Sequence, residues 1–302
     1  MIHKGVFQGC FPLNMDTDSC LTLAGRLGFD GLEIVMEDTS PLLPEALDAC
    51  TDDILAIGRS VGVTTVRDGA LTLGSSRAEV QRLKGHAARC GIRVHSVATM
   101  LLFYYPLSSP IVSIRDKGIE VVLKMMEAAS IFGARTVLVV PGLVTPSVGY
   151  VEAYRRSQAV IRDLAIEAER LGVVLGLENV WNRFLLSPLE MRRYIEEIGD
   201  PHVGAYFDVA NILTYGYPQD WLRILGPLVK AVHFKDYRKD VDNILGFTHL
   251  MHGDVDWPAV VSALADISFE GFATAEVSPL KHFPEKGLAD TKAAMDLILA
   301  AP

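Results

Sequence analysis

Short apolar runs bounded by turn residues recur along the chain. Between them lie longer stretches with the three-to-four-residue apolar spacing of amphipathic helices. The runs predict strands over residues 6–11, 31–36, 92–98, 136–140, 173–178, 203–208, 229–234 and 272–277. The periodic stretches predict helices over 17–27, 44–60, 76–90, 111–132, 150–171, 188–198, 219–225, 257–267 and 289–300. Punctuation agrees with these limits. Gly28, Gly91, Gly133 and Gly172 stand where helices should stop, and Ser187-Pro188 and Asp256-Trp-Pro258 read as a cap followed by a proline in the first turn. Residues 61–74 have turn and strand character and fit neither pattern.

Several of the predicted strands are almost continuously apolar, which suits a parallel sheet covered on both faces. Eight strand-then-helix units in 302 residues predict an α/β fold, a (β/α)8 TIM barrel forming a single domain over residues 1–302. No Gly-x-Gly-x-x-Gly follows the first strand, so a dinucleotide-binding sheet has no support.

Composition narrows the function classes. Half of the residues are hydrophobic, ample for a buried core, and the formal net charge is −9. An acidic chain lacks the clustered positive charge that follows a nucleic-acid backbone, so no nucleic-acid partner is expected. Cys10, Cys20, Cys50 and Cys90 form no Cys-x-x-Cys pair and read as small buried residues rather than a disulfide or zinc framework. No apolar run approaches a bilayer span and the first residues lack a signal-peptide core, so no membrane partner and a cytoplasmic location are expected.

The chemistry is concentrated where strands end. Glu178, Asp208, His233 and Glu276 close or directly follow the last four predicted strands. In a barrel these are neighbours around the ring, at the end where active sites are built. Three carboxylates and one imidazole, with no thiolate, suit one divalent ion such as Mn²⁺, Mg²⁺ or Co²⁺ rather than a structural zinc. A single such residue after a strand is as readily a cap or a salt-bridge partner; four at consecutive strand ends are not.

The segments Glu178-Asn-Val-Trp-Asn-Arg183, Phe207-Asp-Val-Ala-Asn211, Val232-His-Phe-Lys-Asp236 and Ala275-Glu-Val277, with Gly28-Phe-Asp-Gly-Leu-Glu33 near the start, resemble the sugar isomerases and epimerases with a xylose-isomerase-like barrel. The branch they most resemble contains ketose 3-epimerases and sugar-phosphate epimerases. The resemblance implies that Glu178, Asp208, His233 and Glu276 are the metal ligands and that Glu178 and Glu276 are also the catalytic acid/base pair. Such chemistry removes a proton beside a ketone on one face and returns one on the other through an enediolate that a divalent ion stabilises. Two positions depart from the free-ketose pattern: Leu185 and Leu186 follow Asn182-Arg-Phe184 where that branch carries Glu, and Asn211 stands where it carries His. The same Asn211 lacks the histidine that a trinuclear-zinc DNA-repair relative would need.

Substrate-binding candidates are Trp181, Asn211, Lys235 and Arg238. Lys235 and Arg238 lie after the seventh predicted strand, where barrels often bind phosphate, and otherwise belong to a solvated charged loop. Trp181 and Phe103-Tyr-Tyr105 are either an apolar wall or core. His249 and His252 either face the site or are exposed. Glu33 reads as a salt-bridge residue inside the barrel. The expected function is a divalent-metal-dependent isomerase or epimerase of a ketose or ketose phosphate. A lyase or dehydratase on a keto-sugar or inosose is the alternative, and a non-catalytic sugar-binding barrel a third reading. The expected partner is a small sugar or sugar phosphate, with homo-oligomerisation left open.

Overall fold

The computed structural model describes residues 1–49 and 66–300. Its centre is a closed ring of eight parallel strands: β1 (Ile2–Phe7), β2 (Gly31–Glu37), β3 (Arg93–Ala98), β4 (Thr136–Val139), β5 (Val174–Glu178), β6 (Val203–Asp208), β7 (Val229–Phe234) and β8 (Gly271–Ala275). Each pairs with its sequence neighbours. β1 closes the ring by pairing with β8, Ile2 opposite Gly271 through Val6 opposite Ala275, and with β2, Gly5 opposite Gly31.

Around the ring run α1 (Thr17–Arg26), α2 (Pro44–Ala49), α3 (Arg77–Arg89), α4 (Val112–Phe132), α5 (Tyr150–Leu171), α6 (Pro188–Ile198), α7 (Pro218–Leu225), α8 (Trp257–Asp266) and α9 (Pro284–Ala300). Their limits have local causes. The side chains of Asp16, Ser76, Ser187 and Asp256 accept hydrogen bonds from first-turn amides, and Ser76 forms a reciprocal capping box with Glu79. Gly133, Gly172 and Gly199 end α4, α5 and α6 in the left-handed conformation, at φ 74°, 68° and 73°. β4, β5 and β6 are buried along their whole length, packed by helices outside and side chains inside.

The eight strands and the α/β barrel stand as expected, with differences at element limits, among them a last helix that begins at Pro284, five residues before the run at 289–300. The first strand spans Ile2–Phe7, four residues earlier than the run at 6–11, and Gln8–Cys10 form a 3-10 turn. Backbone pairing with both neighbours outweighs the polar character of His3 and Lys4 at the solvated start of the strand. Of the helix predicted over 44–60 the described part is Pro44–Ala49, and the rest, with Cys50, lies outside the described residues. Within 61–74, Leu71–Thr72 add a short parallel pairing to the end of β2.

Cys10, Cys20 and Cys90 are free thiols, the first two buried. No helix among the described residues is long and apolar enough to cross a membrane.

Candidate metal centre

Glu178 and Asp208 are the last residues of β5 and β6, His233 is the penultimate residue of β7, and Glu276 follows β8 directly. Neighbouring parallel strands bring these ends together. One ligand atom from each of the four lies within 4.8 Å of the others. Glu178, Asp208 and His233 are buried and Glu276 is partly so. His233 Nδ1 stands between two carboxylates, 3.2 Å from Glu178 Oε1 and 3.1 Å from Glu276 Oε2.

His233 and Asp208 are held from the side away from the cluster. His233 Nε2 lies 2.8 Å from Glu33 Oε1, and the Tyr206 hydroxyl donates to Glu33 Oε2 at 2.6 Å. Tyr206 finds room in the barrel because Gly176 has no side chain; a Cβ there would lie 3.1 Å from the tyrosine. Asp208 Oδ1 accepts from the amides of Ala210 and Asn211 at 2.8 and 2.9 Å. Asn179, next to Glu178, accepts from the Asp208 amide at 2.9 Å and donates to its carbonyl at 2.8 Å, tying the ends of β5 and β6.

Asp208 Oδ2 supplies the test for a metal. It is fully buried and has no hydrogen-bond partner. The Lys235 ammonium stands 3.6 Å away, and a buried carboxylate oxygen with no hydrogen bond, in a cluster with an imidazole and two further carboxylates, fits a cation ligand. A divalent ion would be held by Glu178, Asp208, His233 and Glu276, with Nδ1 as the imidazole donor. The donor set does not single out one metal.

The electrostatics are uneven. Burial pushes the Glu178 carboxyl up to about 7, against the pull of His233. Burial acts on Glu276 too, but Lys235 and His233 outweigh it and hold that carboxyl well below the usual range. Burial raises Asp208, with Lys235 opposing. His233 is held well above an ordinary imidazole: burial opposes its charge, and Tyr206, Glu33 and Glu276 together prevail.

Lys235 enters this cluster. Its Nζ is 3.0 Å from Glu276 Oε2 and 3.6 Å from Asp208 Oδ2, and it lies over the Phe247 ring at 4.6 Å. Phe247 in turn packs on Trp181 at 5.1 Å, and the Trp181 indole donates to the Asn211 carbonyl at 2.8 Å. Asn211 is buried, its amide donating to the Asn179 carbonyl at 2.9 Å. Lys235, Trp181 and Asn211 thus border the ligand set. Arg238 does not join them: its guanidinium is 53% exposed and paired with Asp240 at 2.7 Å. The segment around it is only partly solvated, since Asp236 and Tyr237 are fully buried, and Asp236 accepts from the Trp257 indole at 3.2 Å. Tyr104 and Tyr105 are core, and His252 is exposed.

Sequence reasoning placed Glu33 inside the barrel without its partner, and missed Tyr206, Asn179 and Phe247. Tyr206 had a signal: it precedes Asp208 by two residues on a strand, so both side chains point to the same side. Phe247 had none, because it reaches the site through a fold of the long loop after β7, where Phe247–Thr248 pair antiparallel with Asp236–Tyr237.

A closed parallel barrel with a carboxylate–imidazole cluster where its strands end defines the class: a TIM-barrel protein whose strand ends carry a group of side chains able to hold a metal ion. The chain belongs to the Xylose isomerase-like TIM barrel family, whose profile matches residues 21–298. It is similar to the 2-epi-5-epi-valiolone 7-phosphate 2-epimerase of Actinoplanes sp., 28% identical over 170 residues, which are 56% of this chain and 58% of that protein. The match therefore spans little more than half the length of that relative. It is also similar to the L-ribulose-5-phosphate 3-epimerase UlaE of Salmonella heidelberg, 24% identical over 246 residues, 80% of this chain and 75% of that one. Among solved structures the IOLI protein with a bound zinc atom superposes with a TM-score of 0.75 at 18% identity, covering 99% of this chain and 98% of that one. At that identity the likeness is one of fold.

Proposed function

We propose that this protein is a divalent-metal-dependent epimerase or isomerase of a ketose or ketose phosphate. One observation carries the reading. Glu178 and Glu276 come from β5 and β8, with β6 and β7 between them, and approach the same imidazole nitrogen from two sides at 3.2 and 3.1 Å. Inversion at a carbon beside a ketone needs a proton-transfer group on each face, and two converging carboxylates can supply them.

Glu178 and Glu276 are the two carboxylates that would take the proton from one face of the substrate and return it on the other, with Lys235 beside Glu276 at 3.0 Å. A divalent ion on the four ligands would supply Lewis-acid stabilisation of the negative charge that develops when the proton leaves. Trp181 and Phe247 give the mouth an apolar flank that limits water, and Lys235 offers a cation to an anionic or hydroxyl group of the substrate.

The names of the relatives support the sugar and sugar-phosphate class, since both the Actinoplanes and Salmonella proteins are named as epimerases of phosphorylated compounds. The test is incubation of the metal-loaded protein with ketoses and ketose phosphates in heavy water. Epimerisation returns substrate and epimer carrying one solvent deuterium at the inverted carbon. A deoxy or unsaturated product would instead establish a lyase, and the absence of exchange with every member of both series would remove the proposal.

A further inference from the structure

At the opposite end of the barrel, where the strands begin, lies a cavity of about 320 Å³. That volume is at the low end of the roughly 300–1,000 Å³ typical of small-molecule sites. Its wall carries Arg93, the first residue of β3, Arg135, just before β4, and Lys230, near the start of β7, with Lys84 of α3 at the rim. In a chain of net charge −9 this is a concentration of the opposite sign.

Lys84, Arg93 and Arg135 are exposed and Lys230 is half-buried. None of these four cations forms an ion pair among the described residues, although the surface elsewhere is rich in them. Lys84 and Lys230 donate to backbone carbonyls, of Ile131 and Pro227, at 2.8 and 3.0 Å. The lining contains one carboxylate, Glu270, which faces outward at 81% exposure and is engaged by the amino group of Met1 at 2.9 Å. Arg135 and Lys230 sit on strands separated by β5 and β6, yet they sense each other: burial first, and the Arg135 charge second, lower the Lys230 ammonium. Like charges gathered round a concave site repel, and a bound anion offsets that repulsion.

The floor is built as well. The Arg93 guanidinium lies over the Phe272 ring at 5.1 Å, and the His95 ring stacks against Phe272 at 3.9 Å, 5° from parallel. His95 is 8% exposed, and Gly5 makes room for it, since a Cβ there would lie 2.5 Å from its Nε2. A guanidinium resting over a ring is steadied by it while its N–H donors stay available to an oxyanion.

We propose that this cavity binds a small phosphorylated anion, its phosphate group held by Arg93, Arg135 and Lys230 at the end of the barrel away from the metal centre. The site is independent of the catalytic reading, since none of its residues belongs to the ligand set.

The test is calorimetric titration of the metal-loaded protein with inorganic phosphate in a low-salt chloride buffer, and separately with citrate. A saturable phosphate event separate from any at the catalytic mouth is expected. It should weaken at least tenfold in the Arg93→Ala/Arg135→Ala variant, recover part of that loss in Arg93→Lys/Arg135→Lys, and persist in Lys235→Met. Lys230→Gln, which leaves both arginines in place, gives an independent reading and should also weaken it. Unchanged affinity in the alanine variant, or loss in Lys235→Met alone, would place the anion at the catalytic mouth and overturn the proposal. Absence of saturable binding, or binding of citrate without phosphate, would overturn it too. Because the readout is phosphate affinity, it stands or falls separately from the epimerase assignment.

Discussion

Glu33 Oε1 lies 2.8 Å from His233 Nε2, although 200 residues separate them in the chain. Glu33 is fully buried on β2, and its other oxygen accepts from Tyr206 on β6. Burial opposes its ionisation, but the charge and hydrogen bond of His233, with His95 and Tyr206, keep its carboxyl below the usual range. An ionised Glu33 fixes which imidazole nitrogen carries the proton and turns Nδ1 toward the other carboxylates. Glu33→Gln keeps the shape and loses the charge. It should weaken divalent-metal affinity by about 10- to 100-fold, the usual effect of removing a carboxylate behind a ligating histidine. Tyr206→Phe should have a smaller effect in the same direction. Metal titration followed by calorimetry reads both, and unchanged affinity in Glu33→Gln would reduce the contact to packing.

Removing one glutamate of the proposed pair separates binding from proton transfer. Glu178→Gln and Glu276→Gln each keep a ligand oxygen, so metal binding should weaken only partly, while turnover falls by about 10² to 10⁴. The variant lacking the first base should exchange no substrate hydrogen with heavy water. The variant lacking the second should still exchange it without inversion. Asp208→Asn should lose metal and activity together and regain part of the activity in excess metal. Equal recovery of all three would make the glutamates ligands and nothing more.

Metal should stabilise the fold. The ligands are buried carboxylates that repel one another, and a cation bound only by the native state adds about 2.7 kcal/mol at a hundred times its dissociation constant. Chelator-treated protein should melt several degrees lower and recover with Mn²⁺, Mg²⁺, Co²⁺ or Zn²⁺. In Asp208→Asn, which removes the charge of the ligand whose Oδ2 has no hydrogen bond, the added stability should largely vanish.

Lys235 and Arg238 were equal candidates for anion recognition from sequence, but their surroundings differ. Lys235 is 3.0 Å from Glu276, whereas Arg238 is turned to Asp240 at the surface. Lys235→Met should raise KM for a sugar phosphate by about tenfold or more relative to the neutral sugar, a difference of about 1.4 kcal/mol. Arg238→Ala should change the ratio little. The reverse ranking would show that the loop after β7 rearranges when substrate enters.

His95 predicts an acid limb in the stability curve. Burial, with nearby cations and against the pull of Glu33, pushes its imidazole from 6.5 down to about 3. Between those values the unfolded chain binds a proton that the folded protein refuses. Stability is therefore intact above pH 6.5 and falls as the pH drops toward 3, by up to about 1.4 kcal/mol per pH unit. Urea unfolding at pH 7 and pH 5 should show a smaller loss in His95→Gln than in the parent; equal losses would assign the limb to carboxylates.

What the sequence by itself determined was whatever is encoded locally. Strands buried on both faces are written as continuous apolar runs, and helix ends are marked by Ser187, Asp256, Gly133 and Gly172, whose side chains or backbone freedom act within one turn. The four metal-site residues were legible for the same reason: a parallel barrel places every strand end at one mouth, so topology alone brings Glu178, Asp208, His233 and Glu276 together. The tertiary structure decided what depends on side chains meeting across the ring or over a folded loop. Glu33 reaches His233 from a strand distant in sequence and is held there by Tyr206 from across the ring, Phe247 arrives on a loop with no period to read, and Lys235 and Arg238, three residues apart, turn to different partners. The basic cavity at the strand starts was invisible, because Arg93, Arg135 and Lys230 are isolated cations in sequence and become neighbours only when the barrel closes.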